Sequence, residues 1–380
     1  MGKNGNGEGS IYEHKRDGKK VGYRGAYWVY TSEGPKRRYV QGKTRAEVNQ
    51  KLTKIMADRD GGMIFDAGSL TVEEYLTRWL EDSVKGTVRP STYEVHRHMI
   101  KPHIIPALGR LKLKDLSPMH VRSFYHEKLD SGLSSATVRK MHSILRKALK
   151  QAILDGLIPR NVCEAVKPPK VERKEITPLD REQAKALLEA ASGDRLETLY
   201  VLAVHTGMRE GELLGLKWED VDLERGVLRL RHALVREGGK TALGDLKTAK
   251  SRRSIRLTYA AADALRSHLE RQLEEIERMD SLYQPGGLVF ATMTGTLINP
   301  SNLRNRSFKP LLKRAGLPDI SFHDLRHTCA TLLLSQDTHP KLVQELLGHA
   351  TIAMTLDTYS HFLPSMGDQT VRAMEAALSS

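Results

Sequence analysis

The sequence has 380 residues, with 60 lysines and arginines against 46 aspartates and glutamates, and a formal net charge of +14 at pH 7. A hydrophobic fraction of 39% is ordinary for a globular protein, and without a run of about 18 apolar residues we expect no membrane span. The two cysteines make no metal-ligand or disulfide pattern and fit a reducing cytoplasm, while the basic excess indicates a polyanionic partner, most often nucleic acid.

Residues 1–66 predict a small basic module of three strands and one helix. The strand-like stretches are separated by turn sequences and are Gly9–His14, Val21–Thr31 and Lys36–Gln41. Thr44 and Glu47 have the spacing of a capping box and predict a helix that runs to about Asp58. Such a sheet could lie in a DNA groove, or it could be a structural module with a solvated basic face. Its predicted DNA contacts are Lys36, Arg37 and Arg38.

Residues 67–160 predict an all-helical segment. Its helix-start signals are the capping box of Thr71 and Glu74, a cap at Ser91, the pair Ser117-Pro118, and Ser134 or Ser135. Basic residues on the last two helices suit contacts with DNA phosphates, although an ordinary helix bundle also carries surface lysines. The predicted phosphate contacts are Arg139, Lys140, Arg146 and Lys147.

Residues 161–176 are basic, interrupted by prolines, and predicted as a linker. A second globular segment, 177–380, begins with a helix signal at Asp180 and Gln183. Strands are predicted at Val227–Leu234 and Arg253–Leu257, and the basic stretch between them is predicted as the tip of a β-hairpin. The chain is therefore expected to be an α+β multidomain protein.

Two motifs of the second segment could bind a phosphate. Arg209 lies between glycines at the start of an apolar helical run, and Glu212, three residues on, could hold its guanidinium. His323 and Arg326 have the spacing that places two side chains on one helix face, where together they would form an anion site. Each motif alone also has an ordinary structural explanation.

Two further features lie near the C-terminus. Pro340 fits the first position of a helix and Gly348 fits its left-handed C-terminal cap, so that His349 is held directly at the helix end. Tyr359 follows ten residues later. A tyrosine seen alone is usually a packing residue.

Taken together, Arg209, His323, Arg326, His349 and Tyr359 resemble the signature of tyrosine recombinases of the phage integrase family in type, order and spacing. The match spans about residues 177–365. The resemblance implies an arm-site DNA-binding module at 1–66, a SAM-like core-binding domain at 67–160, and a mainly helical catalytic domain with a small β-sheet at 177–380. The catalytic residues that it implies are Arg209, Lys247, His323, Arg326, His349 and Tyr359, supported by Glu212, with Lys250 as the alternative to Lys247.

The chemistry that the resemblance implies is a metal-free cleavage of DNA without any cofactor. Negative charge builds on the nonbridging oxygens of a phosphodiester during attack, and Arg209 and Arg326 would neutralise it. His323 is the expected acceptor of the Tyr359 proton. Lys247 would protonate the 5′-oxygen that leaves, and the product would be a 3′-phosphotyrosyl link.

The resemblance further implies a recombinase that integrates and excises a mobile element at double-stranded DNA attachment sites, as a homo-tetramer that exchanges strands through a Holliday junction. A host DNA-bending protein and a directionality factor are the implied accessory partners, and the expected location is the nucleoid in the bacterial cytoplasm. After Tyr359 an apolar helical face could dock on a neighbouring protomer or pack on its own domain; its residues are Val371, Met374, Ala377 and Leu378.

Four alternatives stay open at this point. Two are relatives with the same chemistry: a chromosome-dimer-resolving recombinase and a type IB topoisomerase. The third is a DNA-binding regulator without catalysis, in which Pro340–Tyr359 would form a helix-turn-helix. The fourth is a metal-dependent nuclease that uses Asp220 and Asp222, although these two carboxylates fit a turn after a helix better.

Overall fold

The computed structural model describes residues 10–16, 19–31, 34–60, 69–172, 176–237, 240–246, 252–359, 371 and 374–379. The chain divides into two compact units, Met1–Arg173 and Lys174–Ser380. Among the described residues, none of the helices combines the length and the apolar character needed to span a membrane.

The first unit begins with the small sheet that the sequence predicts. Its strands are antiparallel in the order β1-β2-β3, and they are followed by helix α1: β1 Ser10–Arg16, β2 Lys19–Thr31, β3 Gly34–Gly42 and α1 Arg45–Asp60. The helix packs Val48 and Leu52, both buried, against Gly25 of β2. A Cβ at Gly25 would lie 2.6 Å from Leu52 Cδ1, so the glycine permits this close approach.

The start of α1 agrees in part with the predicted capping box. Thr44 Oγ1 accepts a hydrogen bond from the backbone N–H of Glu47 at 3.1 Å, as the spacing predicts. The Glu47 carboxylate accepts from the backbone N–H of Lys43 at 2.9 Å, one residue before the expected donor. The helix therefore begins where the sequence indicates.

The other described residues of the first unit are mainly helical, as predicted. Its helices, two of which continue into π-helical turns, are α2 Val72–Arg78, α3 Pro90–Met99, α4 Ile105–Leu108, α5 Pro118–Asp130 and α6 Ser135–Leu154. Thr71, Ser117 and Ser134 cap their helices through side-chain hydrogen bonds. The predicted cap at Ser91 is wrong, because α3 begins at Pro90, whose fixed φ suits the first helical position, and Arg89 occupies the cap.

The second unit contains two small sheets. The strands β4 Val221–Asp222, β5 Val227–Leu230 and β8 Arg253–Arg256 form one sheet in the order β4-β5-β8. Among the described strands, β6 His232–Glu237 pairs with β7 Lys240–Asp245 in a separate sheet. The prediction of one strand over Val227–Leu234 is therefore wrong, since the chain changes sheets at Arg231. The two predicted strands do pair antiparallel, β5 with β8, with Val227 opposite Arg256 and Leu230 opposite Arg253. The stretch between them is more than a simple tip, because β6 and β7 form a hairpin of their own within it, and residues 247–251 lie outside the described part of the chain.

Two glycines explain the break at Arg231. A Cβ at Gly215 would lie 2.8 Å from Ala233 Cα, and one at Gly211 would lie 3.1 Å from the Leu234 carbonyl oxygen. Because both glycines lack a side chain, the backbone of β6 lies directly against the helix α9, Glu210–Leu214, and against Gly215, which is the C-cap residue of that helix.

Helices form the body of the second unit. Besides α9 they are α7 Arg181–Ala191, α8 Glu197–Thr206, α10 Tyr259–Met279, α11 Pro300–Asn302, α12 Lys309–Arg314, α13 Asp324–Ser335, α14 Pro340–Leu347 and α15 Ile352–Tyr359. Asp180 caps α7 with the predicted box to Gln183. A buried core around Tyr200, Phe308 and Phe322 joins α8 to the start of α13.

Candidate active site

Arg209 is placed by the turn between α8 and α9. Gly207 ends α8 with a left-handed φ of 60°, and Arg209 is the N-cap residue of α9. Glu212 binds this arginine twice, accepting from its backbone N–H at 2.9 Å and from its guanidinium Nη1 at 2.7 Å. The contact between the two residues is the one that their spacing predicts.

Arg326 lies at the centre of the site on α13 and is 2% exposed. Its Nη1 donates to the Gly207 carbonyl at 2.8 Å and its Nη2 to the Leu347 carbonyl at 2.6 Å. One guanidinium therefore ties the Arg209 turn to the end of α14. Burial, with Arg209 nearby, lowers the pKa of Arg326 to about 9, which still leaves it charged at neutral pH.

Arg253, the first residue of β8, is a member of the site that the sequence did not indicate. Its guanidinium binds both oxygens of Glu212, at 3.2 Å and 3.0 Å, and its Nε donates to the Leu346 carbonyl at 2.6 Å. Burial alone would raise the pKa of Glu212, but Arg253 and Arg209 hold this pKa below its ordinary value. Glu212 is thus an ionised carboxylate shared by two arginines. In the sequence Arg253 stands between Arg252 and Ser254, with no motif to mark it.

His349 lies where α14 ends. Gly348 adopts the left-handed cap with φ 65°, as predicted, and Pro340 occupies the first helical position. The His349 ring Nδ1 lies 2.9 Å from Thr355 Oγ1, which fixes the ring against α15. Burial, helped by the charges of Arg326 and Arg209, lowers the pKa of His349 to about 4, so the ring is neutral at pH 7.

Tyr359, the last residue of α15, is 1% exposed. Its hydroxyl oxygen lies 2.6 Å from Nδ1 of His327, and the ring centroids are 5.5 Å apart. Burial raises the pKa of the phenol to about 12. His327, one turn further along α13, contacts the hydroxyl, whereas His323, the expected acceptor of the Tyr359 proton, contacts the His327 ring. The signal that could have found His327 is its i, i+4 spacing from His323.

His323 remains part of the site. Its ring meets the His327 ring edge to face with centroids 5.0 Å apart. Burial, followed by the charge of Arg326, lowers the pKa of His323. His327 contacts the Tyr359 phenol and the charge of Arg326 acts on it, while Arg209, His323 and His349 are linked to Arg326 or His327 within the same site. Such an arrangement can bind an anionic ester and attack it.

The other predicted site residues lie elsewhere or outside the described part. Lys247 and Lys250 fall outside the described residues. Lys36 lies in β3, with its side chain also outside them, while Arg37 and Arg38 on the same strand are exposed. On α6 the four predicted phosphate contacts share the exposed face: Arg139, Lys140, Arg146 and Lys147.

Comparisons with known proteins agree on one family. Residues 178–365 match the model of the phage integrase family. Residues 71–129 match the N-terminal SAM-like domain of phage integrases. Every active-site residue named above lies within the first of these two matches.

Two relatives cover most of the chain. It is 32% identical over 360 residues to a XerC-like tyrosine recombinase of Caldanaerobacter subterraneus, covering 89% of this chain and 91% of that protein. It is 28% identical to an integrase of Saccharopolyspora erythraea, covering 87% and 88%. Among solved structures, the Tn1549 transposon integrase in complex with a circular intermediate DNA has the same fold, with a TM-score of 0.67 at 22% identity, covering 82% of this chain and 100% of that one.

Proposed function

The chain belongs to the phage integrase family of tyrosine recombinases, enzymes that break and rejoin DNA, and we propose that it integrates and excises a mobile element at double-stranded DNA attachment sites. The single observation that carries this is the position of Arg326. Its guanidinium joins the turn of Arg209 to the end of the helix before His349, on the same helix whose His327 holds Tyr359. Residues from four segments of the chain thus form one anion site beside a nucleophile.

The proposed reaction is an attack of the Tyr359 oxygen on a DNA phosphorus. Arg209 and Arg326 supply the fixed positive charge for the nonbridging oxygens. His323 and His349 have lowered pKa values, so each donates a hydrogen bond to the phosphate from a neutral ring. The 5′-oxygen leaves with a proton that we assign to Lys247, with Lys250 as the alternative. The 3′-phosphotyrosyl link retains the energy of the bond, so rejoining needs no nucleotide cofactor.

A metal-dependent nuclease is disfavoured by the surroundings of its candidate carboxylates. Glu219, Asp220 and His232 offer atoms within 4.8 Å of one another, but Arg231 Nε lies 3.3 Å from Asp220 Oδ1. Arg225 likewise lies 4.0 Å from Asp222. Each aspartate is already faced by an arginine, which supplies the positive charge that a divalent cation would otherwise bring.

Assembly as a homo-tetramer on DNA is part of the proposal. After Tyr359 the described residues 371 and 374–378 are helical, and their large apolar side chains are exposed: Val371 57%, Met374 59% and Leu378 74%. A neighbouring protomer would cover this face. We further propose a host DNA-bending protein and a directionality factor as partners, at the nucleoid of a bacterial cell.

The basic N-terminal sheet supports an integrase over a chromosome-dimer-resolving recombinase. Arg37 and Arg38 are exposed on an edge strand, β3, where they can reach phosphates of a second, arm-type site. Binding to a second site of this kind distinguishes an integrase that contacts arm and core DNA separately from a chromosome-dimer-resolving recombinase. Chromosome-dimer resolution stays the alternative.

The test is a nicked suicide substrate carrying the attachment site, incubated with the full chain in EDTA and resolved on a denaturing gel. We expect a covalent protein–DNA adduct that is lost in Tyr359→Phe and unchanged by EDTA. A chain that binds the substrate without forming the adduct would be a DNA-binding regulator instead. An adduct that requires added metal would contradict the proposed chemistry.

A further inference from the structure

The hydroxyl of Tyr359 has one close partner among the described residues, and it is His327. The oxygen lies 2.6 Å from Nδ1, a distance typical of a strong hydrogen bond. Tyr359 comes from α15 and His327 from α13, so two packed helices hold the pair together. His323 contacts the His327 ring rather than the phenol.

The surroundings of His327 keep it neutral and therefore able to accept a proton. Burial lowers its pKa to about 4, with His323 adding to the effect, while Asp324 opposes it. The phenol has a pKa of about 12, so in the resting pair the proton belongs to the oxygen and Nδ1 is the acceptor. Among the described residues, the charged and titratable groups that face His327 are His323, the N-cap residue of its helix, Asp324 and Arg326 of the same helix, His349 after α14 and Tyr359 of α15.

Resting on the proposed recombinase function, we propose that His327 is the general base that accepts the proton of Tyr359 during cleavage. The oxygen–phosphorus bond forms as the O–H bond breaks, and the proton moves to Nδ1 of His327. The phosphorus–O5′ bond breaks at the same time, and O5′ takes its proton from the lysine general acid. On rejoining, the proton on His327 returns to Tyr359 and the proton on O5′ returns to the lysine.

This assignment gives His323 and His327 different roles. His327 faces the nucleophile, while His323, one turn earlier, contacts the His327 ring. Burial lowers the pKa of His323, and the charge of Arg326, the phosphate-binding arginine, lowers it further. His323 thus serves the phosphate as a hydrogen-bond donor. Asp324, beside both histidines, favours the cation that forms on His327 after the transfer.

The experiment measures the single-turnover rate of adduct formation at saturating enzyme, from about pH 6 to pH 9. The variants are His327→Asn and His327→Gln, with His323→Gln as the matched control. Asn places its amide oxygen near the position of Nδ1, so it keeps a hydrogen-bond acceptor but cannot take a proton. Because Tyr359 is buried in the free chain, the shape of the pH profile is read in preference to the absolute rate.

We expect the wild-type rate to be level across this range, because His327 is neutral throughout. Without the base, the rate depends on the small fraction of tyrosinate, so it should fall about 100-fold at pH 7 and rise about tenfold per pH unit. His323→Gln should lower the rate evenly at all pH values. DNA affinity and melting temperature should stay close to wild type in His327→Asn.

A pH profile of His327→Asn that is parallel to wild type, or a rate within about threefold of it, would overturn the assignment. Full activity in His327→Asn together with loss in His327→Gln would show that the residue only orients the phenol. Failure of the proposed function itself would look different, since the wild-type chain would then form no adduct that depends on Tyr359.

Discussion

Arg253 and Glu212 form a buried ion pair, with Nη2 and Oε2 3.0 Å apart and only 8% and 3% of the two side chains exposed. The same carboxylate binds Arg209 at 2.7 Å, and the same guanidinium binds the carbonyl before the Leu347–Gly348 turn. Two arginines therefore share one counter-charge. Because Arg253 orients Glu212 and Glu212 binds Arg209, this pair sets the position of the Arg209 guanidinium, which binds the phosphate.

We expect Arg253→Ala to slow cleavage about 100-fold, because Glu212 would lose the partner that orients it and Arg209 would move by a fraction of an ångström or more. Arg253→Lys keeps the charge but cannot bind both oxygens and the Leu346 carbonyl, so it should lose about tenfold. The readout is the single-turnover cleavage rate alongside the dissociation constant for DNA. If Arg253 acts by positioning Arg209, both variants should cleave more slowly at saturating DNA, while their affinity for DNA stays within about threefold of wild type.

The matched control for Arg253 is Arg195, which makes a bidentate pair with Glu275 on the α10 helix at 2.7 Å. Arg195→Ala removes a comparable ion pair away from Tyr359 and should lower stability without a specific loss in the cleavage rate. Equal losses of rate in Arg195→Ala and Arg253→Ala would indicate that Arg253 acts only through stability.

Gly348→Ala should be more damaging than its size suggests. The residue has φ 65°, and a Cβ there would lie 3.0 Å from Nη1 of Arg253, a side chain already held by Glu212 and Leu346. We expect about 1–2 kcal/mol of lost stability from the backbone and a further loss of cleavage as Arg253 shifts.

Gly226→Ala isolates the backbone effect, because Gly226 has φ 62° with nothing within 4 Å of its added Cβ. Chemical denaturation and cleavage rates of the two variants, compared side by side, separate strain from crowding. If Gly226→Ala and Gly348→Ala reduced cleavage equally, the contact with Arg253 would have no catalytic consequence.

The free energy of unfolding should fall as the pH is lowered from about 6.5 to about 4. His327 and His349 have folded-state pKa values of about 4, below the ordinary value of 6.5, so the unfolded chain binds more protons in this window. The loss begins as pH falls below 6.5 and is complete below the folded-state values. Urea midpoints at pH 7, 6 and 5 should decline, and less steeply in His327→Asn; a decline of the same steepness in that variant would contradict the assigned shift.

Phosphate contacts by α6 predict a change in the salt dependence of binding. Lys140→Ala should reduce the slope of log affinity against log salt by about one, with weaker binding to all sequences alike. The control is Lys185→Ala, which removes an exposed lysine paired with Glu182 on α7. This change should leave the slope as it is in wild type. A slope equal to wild type in Lys140→Ala would remove this residue from the interface.

Local signals in the sequence were sufficient for much of the fold. The caps at Thr71, Ser117 and Asp180 and the left-handed Gly348 were predicted because their hydrogen bonds lie within a few residues of the chain. The contact of Arg209 with Glu212 was predictable for the same reason.

Contacts between distant segments could not be read from spacing. Arg253 meets Glu212 across 41 residues and Leu346 across 93, and nothing local marks it as different from Arg252. The choice of His327 over His323 depends on how α15 packs against α13, which is a tertiary property. The division of 227–237 into two sheets depends on the absence of side chains at Gly211 and Gly215, which lie in a different element.

The hydrogen bonds of Arg326 decide which substitution this position can tolerate. A guanidinium has five N–H groups in a rigid plane, and two of them already bind the carbonyls of Gly207 and Leu347. Three remain for an incoming oxygen, so the arginine can receive a phosphate without releasing the turns that it braces. A lysine has only three donors on one nitrogen, so it could not bind the carbonyls of Gly207 and Leu347 and the substrate at the same time. At this position the number and direction of donors matter more than the charge.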